Sequence, residues 1–154
     1  KTLTKPLTIG GEIKAFLKVA MTGTDADFIV KIIDQYPENH PNYAHNSKNI
    51  KMGGYQQLVR AEVIRGRFRE SFEFPKPFIP NQKTAVDIKL QDILHTFKKG
   101  HRIVVQVQST WFPYIDRNPQ NYVPNIFEAN ASDFKKSTIS IYGDSMIELG
   151  GQIK

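Results

Sequence analysis

Four separate stretches of this chain alternate apolar and polar residues with a period of two, a fifth is apolar on both faces, and no stretch carries a convincing helical period. That pattern leaves little besides strands with one buried face. Over residues 13–21, Ile13, Ala15, Leu17, Val19 and Met21 alternate with Lys14, Phe16, Lys18 and Ala20. Over 84–94, Val86, Ile88 and Leu90 stand against Asp87, Lys89 and Gln91. Residues 102–109 put Ile103, Val105 and Val107 on one face, with Val104, Gln106 and Gln108 on the other. Residues 55–64 alternate more weakly, and 28–36 are apolar on both faces, as in a strand inside a sandwich. Gly10-Gly11 reads as the turn before the first strand. Thr138 to Tyr142 and Met146 to Leu149, around Gly143-Asp144-Ser145, read as a closing hairpin. The fold class expected is all-β, a jelly-roll β-sandwich formed by residues 1–154 as one domain. Its expected core is Ile13, Leu17, Val19, Val30, Ile32, Val86, Ile88, Leu90, Ile103, Val105 and Val107.

Directly after the strand 102–109 comes an aromatic cluster, Trp111-Phe112-Pro113-Tyr114, and then a polar loop, Asp116-Arg117-Asn118-Pro119-Gln120. A buried strand that runs into a decorated loop restrained by two prolines is where function concentrates on a β scaffold. Trp, Tyr and Arg are the residues that dominate interface energetics. The candidate interface or substrate-wall residues are therefore Trp111, Phe112, Tyr114, Asp116, Arg117 and Asn118, with Arg65 and Arg67 from the arginine-rich stretch 60–69 added. Phe68, Phe72 and Phe74 in and after that stretch are expected to anchor it to the core, and its guanidiniums to pair with Glu62, Glu70 and Glu73.

Other constellations offer chemistry but fall short of a site. Asp25 and Asp27 in the turn 22–27 invite a hard cation, yet two carboxylates do not fill a calcium shell, and acceptance of turn N–H groups is preferred. His40 and His45 in the long loop 37–53 lack a third zinc ligand at metal spacing. His95 and His101 flank the Lys98-Lys99-Gly100 turn; an acid–base pair is one reading, and half-buried rings that cap a turn or bond a backbone carbonyl are preferred because no paired carboxylate or nucleophile lies near them in sequence. Gly143-Asp144-Ser145-Met146-Ile147 approaches the nucleophile elbow G-x-S-x-G but has Ile at the second glycine, and no histidine follows Ser145. No catalytic residue, metal site or cofactor is assigned within these 154 residues. The net charge of +6, from 21 basic and 15 acidic residues, is too weak an excess to argue for nucleic acid. No apolar run reaches the ~18 residues of a membrane helix. The chain opens on Lys1 rather than Met, without a signal-peptide core, so a fragment or a processed chain is expected.

Several spaced motifs carry a resemblance. HTF-x-x-GHR, then VQ-x-QS-x-WFP, then DRNPQ, together with GTDADFIVKIID (23–34), GYQQLVRAEVIRGRFR (54–69) and LQDILHTFKKGHR (90–102), resemble in the same order the C-terminal β-domain of a serine hydrolase family. That family includes X-Pro dipeptidyl-peptidases, cocaine esterase, α-amino-acid ester hydrolases and glutaryl-aminocephalosporanate acylases. The resemblance implies a non-catalytic jelly roll, galactose-binding-like in architecture, that buttresses an upstream α/β-hydrolase domain of the same protein and helps wall its substrate entrance. It also implies that the parent enzyme hydrolyses esters or amides through an acyl-enzyme on an upstream serine. A periplasmic or secreted location is expected from it, and a homo-oligomer is left open. The alternative is a free-standing jelly-roll module that binds carbohydrate or another ligand.

Overall fold

A computed structural model describes residues 1–153 as two antiparallel sheets packed face to face. In chain order the strands are β1 (Leu7–Met21), β2 (Asp27–Gln35), β3 (Gln56–Arg65), β4 (Thr84–Phe97), β5 (Arg102–Gln108), β6 (Ile139–Ile141), β7 (Met146–Glu148) and β8 (Gly151–Ile153). One sheet is centred on β1, with β4 along one edge and β6, β7 and β8 along the other. The second sheet runs β3-β2-β5. The alternating residues of β1 and β4 meet Phe28, Val30 and Ile32 of β2 between the sheets, and all of these inward side chains are buried. Of the residues expected in the core, Ile13, Leu17, Val19, Val30, Ile32, Val86, Ile88 and Leu90 are there.

Gly10 and Gly11 lie inside β1 rather than ahead of it. Gly11 takes a φ of +97°, open to glycine at little cost. At this point the ladder with β4 slips: Gly11 pairs with Ile93 and Ile13 with Leu90. The extra residue is on β4, so Leu90 and Ile93, three apart, both reach the inner face. The bulge is braced from the other sheet, where the Arg60 guanidinium donates to the Asp92 carbonyl (2.7 Å).

The expected closing hairpin is not one. β6, β7 and β8 all pair with β1, at Val19–Met21, Lys14–Phe16 and Thr8–Gly10 respectively. The C-terminal segment is one interrupted strand running antiparallel down β1, and residues 142–145 form an outward loop within it. The Ser145 hydroxyl accepts the Lys18 N–H (3.0 Å), and Tyr142 N–H donates to the Lys18 carbonyl (2.9 Å). Ser145 thus closes a gap in the β1 ladder.

Two further expectations change. Val105 stands opposite buried Ile32 but is 38% exposed, because β5 is the outer strand of its sheet; Ile103 and Val107 are half-buried against the core. Phe72 and Phe74 are exposed, and Phe78 anchors the proline-rich segment instead, packed edge-on to Phe28 at 6.2 Å between centroids. Pro75 and Pro77 hold the chain extended, which carries Phe78 back to the β1–β2 turn. Leu17→Ala should lower unfolding free energy by about 2–5 kcal/mol, as for a buried leucine, while Leu94→Ala should stay within about 0.5 kcal/mol because Leu94 is exposed. Urea titration of the two variants checks the assignment of faces.

Candidate functional site

The loop after β5 is fixed from below by the turn between β1 and β2. In that turn Asp25 is fully buried, and its Oδ2 accepts from both Nε (2.9 Å) and Nη2 (2.6 Å) of Arg67. Oδ1 of Asp25 accepts the Ala26 N–H (3.0 Å). Arg67 spends its remaining nitrogen on the Val123 carbonyl (2.8 Å), and its guanidinium plane lies 4.4 Å from the Tyr122 ring centroid. One buried ion pair therefore joins the β1–β2 turn, the turn after β3 and the segment after the loop. Thr24 adds to it: its N–H donates to the Gln120 carbonyl (3.2 Å), and its hydroxyl accepts the Tyr122 N–H (2.8 Å).

Asp27, the first residue of β2, holds the loop itself. Asn118 Nδ2 donates to Asp27 Oδ1 (2.9 Å), and the side-chain Oδ1 of Asn118 accepts the Gln120 N–H (2.8 Å). Arg65 lies between two carboxylates, 3.7 Å from Asp27 and 3.8 Å from Asp116. Burial pushes the Asp27 carboxyl up to about 6, because desolvation outweighs the Asn118 hydrogen bond and the Arg65 charge.

Above this base the loop presents aromatic surface. Trp111 is half-buried, with the Lys31 ammonium 3.7 Å from its ring centroid and Tyr114 beside it at 4.9 Å. The Trp111 carbonyl accepts the Ile115 N–H (3.0 Å), which closes the turn. Phe112 is 58% exposed and carries the Arg117 guanidinium at 4.7 Å, and Tyr114 is 77% exposed. An open groove of about 630 Å³ runs beside them, lined by Gln108, Trp111, Phe112, Arg117, Asn118 and Phe134.

The structure thus divides the eight residues picked from sequence. Trp111, Phe112, Tyr114, Asp116 and Arg117 reach the surface, whereas Arg67 and Asn118 are buried and act as supports. Arg65 is intermediate. The expected pairing of Arg65 and Arg67 with nearby glutamates is replaced by pairing with Asp27 and Asp25, from a turn about forty residues earlier in the chain. The same two aspartates take side-chain donors where backbone N–H groups were expected, apart from the Ala26 N–H.

A second buried cluster was missed. His95 Nε2 and His101 Nδ1 both bond the carboxylate of Asp34, at 2.9 and 2.7 Å. Asp34 is buried near the far end of β2, ~23 Å of strand rise from Asp27, so it is separate from the aromatic loop. Neither ring caps its turn through a backbone carbonyl; the shared carboxylate ties β4 and the 98–100 turn to β2. Strand pairing could have exposed this link, because Asp34 pairs with Ile103 just past His101. Among the described residues no three histidine or acidic side chains are grouped to hold a metal ion.

A two-sheet sandwich whose described helices are all single 3-10 turns, with His95, His101 and Ser145 holding strands together, defines an all-β sandwich domain. The family described as the X-Pro dipeptidyl-peptidase C-terminal non-catalytic domain matches residues 1–147, and the chain belongs to it. Cocaine esterase of Rhodococcus sp. (strain MB1 Bresler) is 30% identical over 118 residues, 77% of this chain and 18% of the esterase. Among solved structures, an α-amino acid ester hydrolase superposes with a TM-score of 0.88 at 46% identity, covering 97% of this chain and 24% of the hydrolase. An aminopeptidase from a marine sediment Thaumarchaeota archaeon gives the same TM-score and coverages at 42% identity. The chain thus spans about a quarter or less of the length of these relatives.

Two outcomes test the buried supports. Arg67→Ala should destabilise the fold by about 3–5 kcal/mol, since it leaves Asp25 charged and unpaired, and Asp25→Leu combined with Arg67→Met should recover much of that loss. For Asp27 the folded pKa lies above the ordinary 3.8, so its protonated form favours the fold. The contribution is complete below about pH 4 and is lost as pH rises through about 6, at most about 3 kcal/mol in all. Asp27→Asn should flatten that fall in urea midpoints measured between pH 4 and 7.

Proposed function

We propose that this chain is the C-terminal domain of a serine hydrolase acting on esters or amides, docked on an upstream α/β-hydrolase domain of the same protein. The contact is made by Trp111, Phe112, Tyr114, Asp116 and Arg117, and the groove beside them forms part of the wall of the substrate entrance. The observation that carries the reading is the pairing of exposed aromatics with a rigid base. Phe112 and Tyr114 lie largely open on a loop tied to three other segments by buried polar bonds. An anchor held this way loses little conformational entropy on docking. Membership of a non-catalytic domain family whose relatives are about four times longer supports a partner domain in the same protein.

In this reading the domain supplies no acid, base or nucleophile to the reaction. The alternative of a free-standing carbohydrate-binding module is less favoured at Trp111, whose ring is already occupied by the Lys31 ammonium and flanked by Tyr114. Sugar stacking needs an open aromatic face, and the most exposed ring here is Tyr114 instead.

In the full-length protein, Trp111→Ala, Tyr114→Ala or Arg117→Ala should weaken domain docking by about 1–4 kcal/mol. Limited proteolysis should then cut more readily between the domains, and kcat/KM for an ester substrate should fall, while Ser145→Ala should leave the chemical step unchanged. Unaltered protease resistance and kinetics in all three loop variants would contradict the interface.

A further inference from the structure

β5 is the outer strand of its sheet, and β6–β8 form the facing edge of the other. Between these two edges the inner face is left open. Val105 is 38% exposed although it stands opposite Ile32, and Ile141 is 46% exposed although it stands opposite Val19; both partners are fully buried. A cavity of about 160 Å³ opens there, bounded by Phe28, Val107, Ile139 and Ile141. A sandwich with an apolar slot along one side also exposes a row of unpaired backbone groups on β5, a template for another strand.

The first residues of the chain already begin to use that template. Thr2 forms an antiparallel bridge with Arg102, and its hydroxyl accepts from Arg102 Nε (3.2 Å). Leu3 N–H donates to the His101 carbonyl, and Gly100 N–H donates to the Leu3 carbonyl, both at 2.9 Å. In an antiparallel pair one partner is read backwards as the other advances. Continued in this register, the residue two before Lys1 falls opposite Val105 and the residue four before Lys1 opposite Val107. Directly opposed residues share a face, so the first of these would cover Val105 on the inner side.

We propose that the segment immediately preceding Lys1 is an edge strand of this domain, antiparallel to β5, which closes the slot between the sheets. The inference rests on the reading that an upstream hydrolase domain belongs to the same protein. Its consequence is mechanical: the connection between the two domains enters as a hydrogen-bonded strand, so it fixes their relative orientation together with the aromatic loop.

Residue-resolved amide exchange on the full-length protein tests this with an internal control. The Leu3–His101 bond sets which amides face which neighbour: Ile103, Val105 and Val107 face the added strand, while Val104, Gln106 and Gln108 face β2. The expected result is that both sets exchange slowly, within about tenfold of each other, at every protein concentration. Exchange of Ile103, Val105 and Val107 at free-chain rates beside a slow second set overturns the strand and leaves the upstream domain standing. Protection of those three that appears only as concentration rises assigns the edge to a second copy, and overturns it too. A protein with no chain before Lys1 overturns both the strand and the reading on which it rests. As a second readout, Val105→Cys paired with a cysteine two before Lys1 should form a disulfide under air, since opposed residues of such a ladder lie about 5.5 Å apart at Cα. No disulfide in a folded protein counts against the strand.

Discussion

The buried pair between Asp25 and Arg67 is the interaction on which the aromatic-loop end of this domain depends. It sits where three segments converge, the turn leaving β1, the turn leaving β3 and the chain beyond the aromatic loop. A buried pair of this kind contributes little net stability, because desolvation offsets the attraction. Its contribution is geometric: with Asp25 and Val123 both bound, the guanidinium fixes how far apart these segments lie. Asn118 and Thr24 then set the loop on that base, and the exposed rings of Phe112 and Tyr114 follow from it. Gly23 belongs to the same junction, for a side chain there would run into the Gln120 carbonyl.

At the other end of β2 the Asp34 carboxylate does for the strands what Asp25 does for the loops. Two imidazoles from β4 and from the residue before β5 share it, which locks one sheet to the other. Both clusters place an acid of the central strand β2, or of the turn before it, under donors some forty to seventy residues further along the chain. Among the described residues the side of the sandwich between β5 and β6–β8 has no such tie, and it is there that Val105 and Ile141 stay exposed. The domain is closed by polar bonds at its ends and left open along one side.

What the sequence made legible was the local part. Period two in residues 13–21 and 84–94 gave the inner face of one sheet, and the doubly apolar run 28–36 gave the central strand of the other. The family motifs carried the class of fold. The misses share a cause, since each depends on which strands are neighbours. Val105 has the same alternation as Val19, but only position in the sheet says that the first is on an edge strand and the second on a central one. Residues 138–149 have the pattern of a hairpin, and their pairing with β1 is decided by an edge elsewhere in the chain. Asp25 with Arg67, and Asp34 with His95 and His101, are separated by some forty to seventy residues, and no local spacing announces them. Arg67 and Asn118 were expected among the contact residues, but exposure cannot be read from residue type, and both are buried and hold the loop from beneath.

The central claim is that the aromatic loop is held rigid so that it can be covered. Hydroxyl-radical footprinting of the full-length protein measures this at single side chains. The account predicts that Phe112 and Tyr114 are labelled far more slowly than Phe72, a ring no more reactive than either, which is 82% exposed and lies outside the proposed contact. Labelling of Phe112 and Tyr114 at the rate of Phe72 would contradict it.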